Sequence, residues 1–269
     1  MKTIIIKNPT EKDERQYLEF VKEKIKQVIE QIEANIKNYA TDLQAQKNYL
    51  WENKAGMDHV EKVSVRQTVT QQATSAESAL EKRNKIVKLL KSPYFGRFDF
   101  IEKEKEEVLE VYIGIYSFVD LENNNIIFDW RAPVSSMFYD FEVGEASYEA
   151  PNGNISGAIL LKRQYRIRKS KFEFMIESSL NIHDDILQKE LSSASSDRMK
   201  NIVATIQRDQ NAIIRNENSH VLIIQGVAGS GKTSVALHRI AFLLYRYKDS
   251  IKSKDIMILS PNKVFADYI

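Results

Sequence analysis

The chain has no cysteine, which excludes disulfides and thiolate metal sites. Proline and glycine are scarce, five and nine in 269 residues. Neither occurs between residues 10 and 53, so nothing there interrupts a helix. No apolar run approaches the ~20 residues needed to span a bilayer. The three isoleucines of "MKTIIIKNP" are too few for a signal-peptide core. A cytoplasmic protein without membrane contact is expected. Charge of one sign is lacking too: 39 basic residues face 37 acidic ones, so any nucleic-acid site must be local. The four histidines are scattered, without metal-ligand spacing.

What is present begins with helix. Leu18, Val21, Ile25, Val28, Ile32, Ile36, Tyr39, Leu43 and Leu50 recur in steps of mostly three and four, the spacing of one helical stripe. The Ile32–Ile36 step is a stutter in the heptad. Thr10 with Asp13 predicts the N-cap. After a break at 53–58, Val65, Val69, Ala73, Ala76, Leu80, Val87 and Leu90 form a second stripe, ended by Pro93. Two such helices make an antiparallel hairpin of roughly 60 Å. It reads either as part of a bundle or as a protruding coiled-coil arm. The narrow stripes and the small Ala73 and Ala76 favour the arm.

From residue 94 the composition turns β-branched and aromatic, with turn signals at "ENNN" and "PNGN". A small, mostly antiparallel β-subdomain is expected, with helix returning near His183 and a serine-rich break at 192–197. The fold class is therefore α/β in three parts: an arm over 1–93, a β-subdomain over 94–192, and the start of a phosphate-loop domain over 193–269, for which a family resemblance carried by its motifs implies a RecA-like fold.

That last part rests on "GVAGSGKT", residues 226–233. It follows the apolar run "HVLIIQ" and precedes a helical pattern, the strand–loop–helix context the motif requires. Gly226, Val227, Ala228, Gly229, Ser230 and Gly231 form a backbone nest for phosphate. Lys232 supplies charge to the β- and γ-phosphates of ATP, and Thr233, followed by Ser234, supplies a hydroxyl for Mg2+. "DIMILSPN", residues 255–262, reads as a second, parallel strand. Its apolar stretch "IMILS" ends in Ser260 rather than a carboxylate, and no residue is assignable as an arginine finger, so efficient hydrolysis is not expected of these residues.

Upstream, "TIQRDQNAII" places Gln210 sixteen residues before Gly226. This resembles the glutamine motif of superfamily 1 helicases, and "LSPNKVFADYI" resembles their next motif. With "SPYFGRFDF", "DWRAPVSSMFYD" and "LLKRQYRIR", the chain is similar to HelD-type, UvrD-like helicases. The resemblance implies an ATPase that binds RNA polymerase and releases it from nucleic acid. It implies an arm that enters the polymerase secondary channel, and DNA contacted by a complete motor. Residue by residue, it implies Gln210 as adenine reader, residues 226–234 as the ATP and Mg2+ site, and Pro261, Asn262 and Lys263 beside the nucleic-acid track. Trp51, Glu52 and Asp58 at the arm tip would face the polymerase. The remainder of the motor is expected to lie outside this sequence.

Other features have plainer readings beside functional ones. Lys162, Arg166 and Arg168 share a strand face that reads as solvated, or as phosphate-binding. Asp129 and Arg131 read as a structural ion pair before a catalytic one. The tip acids read as a solvated turn or as partner contacts. Two other functions stay open: a phosphate-loop transferase, for which an acceptor pocket is missing, and an ATP-independent polymerase-binding module.

Overall fold

The computed structural model describes residues 9–53, 56–177, 208–227 and 229–259. The chain divides into two compact units, Met1–Asp184 and Asp185–Ile269.

The first unit opens with α1, Glu11–Asn53. Its start is a reciprocal cap. Thr10 donates to Asp13 Oδ2 through both its N–H and its hydroxyl, each at 2.7 Å, and Thr10 Oγ1 accepts from the Asp13 N–H at 3.3 Å. Such a box satisfies backbone donors that the first turn leaves unpaired. Helix α2, His59–Lys91, begins where the Asp58 side chain accepts from the Glu61 N–H. It stops before Pro93, and the Ser92 N–H bonds back to the Leu89 carbonyl. The helices run antiparallel: Arg83 pairs with Glu33, and Tyr49 reaches Glu61.

Burial divides this hairpin in two. In α1 it is confined to Glu14, Leu18, Val21, Ile25, Val28 and Ile32; in α2 it is confined to Ile86 and Leu89. These lie at the same end. Beyond them the seam is thin, with Ile36, Tyr39, Leu43, Val65, Val69, Ala73 and Ala76 only half-buried. Among the described residues the hairpin is therefore two long helices, buried at the root and thin beyond it. On α2 the stripe lies partly one residue away from its expected place: Ile86 and Leu89 are inside, and Leu80 is 44% exposed. Steps of three and four allow adjacent stripes, and the packing partner selects between them.

The root of the arm covers a seven-stranded sheet in the order β3-β4-β2-β1-β6-β5, with β7 also on β6. The strands are β1 Gly96–Glu102, β2 Val108–Gly114, β3 Phe118–Val119, β4 Asn125–Asp129, β5 Gly144–Ala150, β6 Gly153–Arg168 and β7 Lys171–Glu177. The sheet is mostly antiparallel, as expected, with one parallel pair. Strand β4 lies parallel to β2, with Ile113 opposite Phe128. The short β3 between them in sequence reverses the chain once more than a direct hairpin from β2 to β4 would. Strand β6 is the spine, pairing β1 on one side and β5 then β7 on the other.

One sheet face carries Tyr112, Tyr165, Ile167 and Phe172, which share a core with Leu18, Val21 and Ile25 of α1. Tyr17 stacks on Tyr112 with ring centroids 4.1 Å apart. Beyond β4, a 3-10 turn, Val134–Ser136, and the short α3, Met137–Asp140, bury Val134, Met137, Phe138 and Tyr139.

In the second unit, α4, Arg208–Ile214, lies against α5, Lys232–Arg246. Arg239 donates to the Ile213 carbonyl at 2.8 Å, and the Arg215 guanidinium lies over the Phe242 ring. The strands expected at 220–225 and 255–262 are not formed among the described residues. Val221, Ile223, Met257 and Leu259 stand 79 to 87% exposed. Their apolar pattern suits a buried parallel strand, but a strand needs a hydrogen-bonded neighbour, and among the described residues none runs beside either segment. The expected helix near 183, the break at 192–197 and residues 260–269 lie outside the described residues.

Candidate functional site

The loop between residues 225 and 232 is shaped by glycine. Gly229 and Gly231 hold φ of +84° and +82°, a region that side chains disfavour. Gly231 is the N-cap of α5, and no side chain caps that helix start. The Lys232 ammonium folds back to donate to the Gly226 and Val227 carbonyls at 2.8 and 2.7 Å. No carboxylate pairs with it among the described residues. Thr233 is exposed, whereas the Ser234 hydroxyl is buried. Gln210 belongs here too: its Nε2 lies 3.6 Å from where a β-carbon on Gly231 would stand. Ala228 lies outside the described residues.

This donor set fits a polyphosphate. A lysine held only by neutral carbonyls, beside an uncapped helix start with its partial positive charge, is a place for an anion. His238, nearly two turns into α5, does not compete for it. Its Nδ1 lies 2.7 Å from the Ser234 carbonyl, and burial lowers its pKa below the ordinary value, which keeps the ring neutral.

The arm tip is a separate surface. Trp51 is 82% exposed and Val60 76%. Glu52 is exposed, and Asp58 is used as the α2 cap. Pro261, Asn262 and Lys263 lie outside the described residues, as does Lys54.

Two basic features differ from their expected settings. Lys162 is buried, not solvated: its ammonium donates to the Phe141 carbonyl at 2.8 Å and lies over the Phe138 ring. Burial lowers its pKa, partly offset by Glu142. Arg166 pairs with Glu173. Asp129 and Arg131 form the expected structural pair, with bonds of 2.8 and 2.7 Å, and the Asp129 carbonyl also accepts from Ser135.

Sequence reasoning missed a buried ionic cluster under α1. Glu14 Oε1 accepts from Arg97 and Arg163, each at 2.9 Å, and Oε2 accepts from the Tyr112 hydroxyl at 3.1 Å. Arg97 also grips Asp99 with two bonds. Glu14, Arg97, Asp99 and Arg163 are each at most 2% exposed. A signal for Glu14 was available: it lies four residues before Leu18, on the apolar stripe itself.

No group of three or more potential metal ligands occurs among the described residues. No helix among them is long and apolar enough to cross a membrane. Residues 11–198 match the family model described as DNA helicase IV HelD, N-terminal domain. No curated protein matches the chain.

Proposed function

This chain belongs to the DNA helicase IV HelD N-terminal-domain family, and from that premise we propose that it is the RNA-polymerase-docking part of a HelD-type helicase. Its arm enters a deep channel of the polymerase, and its second unit binds Mg2+ and ATP phosphates. The supporting observation is the division of the arm: a root embedded in a sheet, and a thin distal hairpin ending in the bare Trp51 indole. Exposed aromatics at interface centres often dominate affinity.

Nucleotide binding is supported by the loop's donor set and by the place of Gln210 beside it. Lys232 and residues 226–231 would hold phosphate, Thr233 would face Mg2+, and Gln210 would meet the adenine edge. ATP when bound carries the phosphoryl group whose transfer drives a motor.

The docking test is interferometry with purified RNA polymerase. Removing all of residues 1–91 would strip Leu18, Val21 and Ile25 from the sheet core. The informative variant therefore replaces residues 40–76 by a short turn and keeps the root. Loss of binding in that variant supports the arm as the docking element; equal binding overturns it. A fluorescent ATP analogue, titrated against the parent and Lys232→Ala, tests the loop. Equal affinity for both would remove it from the reading and leave an ATP-independent binding module.

A further inference from the structure

We propose that the root of the arm is a multipoint clamp that fixes the arm's direction over the sheet, with Glu14 as its central pin. The first observation is where the partners of Glu14 come from. Arg97 stands on β1, Tyr112 on β2 and Arg163 on β6, and these are adjacent strands in the order β2-β1-β6. One carboxylate of α1 is held over the middle of the sheet from three strands, with both oxygens used.

The second observation is bracing on either side. Arg15 donates to the Phe172 carbonyl on β7 at 3.0 Å, and its guanidinium lies 4.6 Å from the centre of that ring. Lys24 pairs with Glu122 at 2.8 Å and Asp120 at 3.3 Å, in the turn between β3 and β4. Strand β7 and that turn lie on opposite sides of β1 in the sheet. The third is that α2 is fastened as well. Ser170, in the β6–β7 turn, donates its hydroxyl to the Leu90 carbonyl at 2.7 Å and its N–H to the Lys91 carbonyl at 2.9 Å.

The chemistry says why direction is the property served. The stripe of Leu18, Val21 and Ile25 would bury nearly as much apolar area if the helix leaned or rolled slightly, because that contact is non-directional. Charge-assisted hydrogen bonds are directional, and in a low dielectric a displaced buried charge is costly. Leverage makes small angles matter. Lys47 lies 33 residues beyond Glu14, roughly 50 Å along the helix, so a lean of about 10° there moves it about 9 Å. The inference rests on the docking role only for what a fixed direction serves.

The test reads direction without any partner. The chain has no cysteine, so spin labels can be placed at Lys47→Cys and Glu107→Cys, both exposed positions, without removing native thiols. Double electron–electron resonance then gives the arm-to-sheet distance distribution. The expectation is one narrow distribution in the parent, at least twice as broad in Glu14→Gln, with circular dichroism unchanged. Should Glu14→Gln fail to fold, the double variant Arg15→Ala with Lys24→Ala, which leaves the buried cluster intact, is expected to broaden the distribution as well. A parent already broad, or a folded variant as narrow as the parent, overturns the clamp. Failure of polymerase binding with a narrow distribution would sink the docking reading and leave the clamp standing.

Discussion

Arg163 donates to Glu14 at 2.9 Å across 149 residues of sequence, with both side chains out of solvent. Removing one member of a buried ion pair strands its partner's charge, at a cost of about 3–5 kcal/mol. Glu14→Leu is expected to lower the unfolding free energy by about that much, read from its urea midpoint and slope. Adding Arg163→Met should restore part of it. If the two losses simply add in the double variant, the residues are not energetically coupled.

The hairpin should be unequal along its length. Ile25 is fully buried at the root, so Ile25→Ala should cost about 2–5 kcal/mol. Leu43 is half-buried in the two-helix seam, and Leu43→Ala should cost clearly less. Hydrogen exchange should be fastest in the distal arm and slowest near Ile25. Uniform protection along α1 would contradict this.

Gly157 sits where β1 and β6 approach closely. A β-carbon there would clash with the Ile101 carbonyl oxygen, a backbone atom held in the sheet. Gly157→Ala should destabilise the first unit by at least the roughly 1–3 kcal/mol of an overpacked core. A thermal midpoint equal to the parent's would show that the strands separate there at little cost.

His238 should make the second unit acid-sensitive. Its folded pKa lies below the ordinary 6.5 because the ring is buried. As pH falls below that ordinary value, the unfolded chain takes a proton that the folded unit refuses. Stability is therefore complete above pH 6.5 and is lost as pH falls through the folded value. Exchange protection of α5, compared at neutral and mildly acidic pH after correction for intrinsic rates, should fall in the parent and change less in His238→Gln. A parent with no acid dependence would show that protonation of His238 does not destabilise α5.

The arm was legible because α1 carries one stripe and no helix breaker, and Thr10–Asp13 marks its start. The strands were legible from their β-branched runs. Where the arm leaves the core was not: Ile36 and Leu43 continue the stripe of Ile25 unchanged, and only the extent of the sheet decides which of them is covered. Lys162 reads as surface in any pattern of charges. It is inside because Phe138, from an element 24 residues earlier, lies over its ammonium. The runs at 220–225 and 255–259 show the converse. An apolar pattern records what a strand would bury, and pairing requires a neighbour.

The apolar stripe at the base of α1 has a consequence for synthesis. Leu18, Val21 and Ile25 leave the ribosome well before the strand that carries Tyr165 and Ile167, against which they finally pack. The 149 residues between Glu14 and Arg163 correspond to roughly 7–30 s at ordinary elongation rates. For that interval the nascent chain holds a greasy helix whose cover is incomplete. Chaperone capture of ribosome-bound chains should peak before β6 emerges and decline once it has been translated.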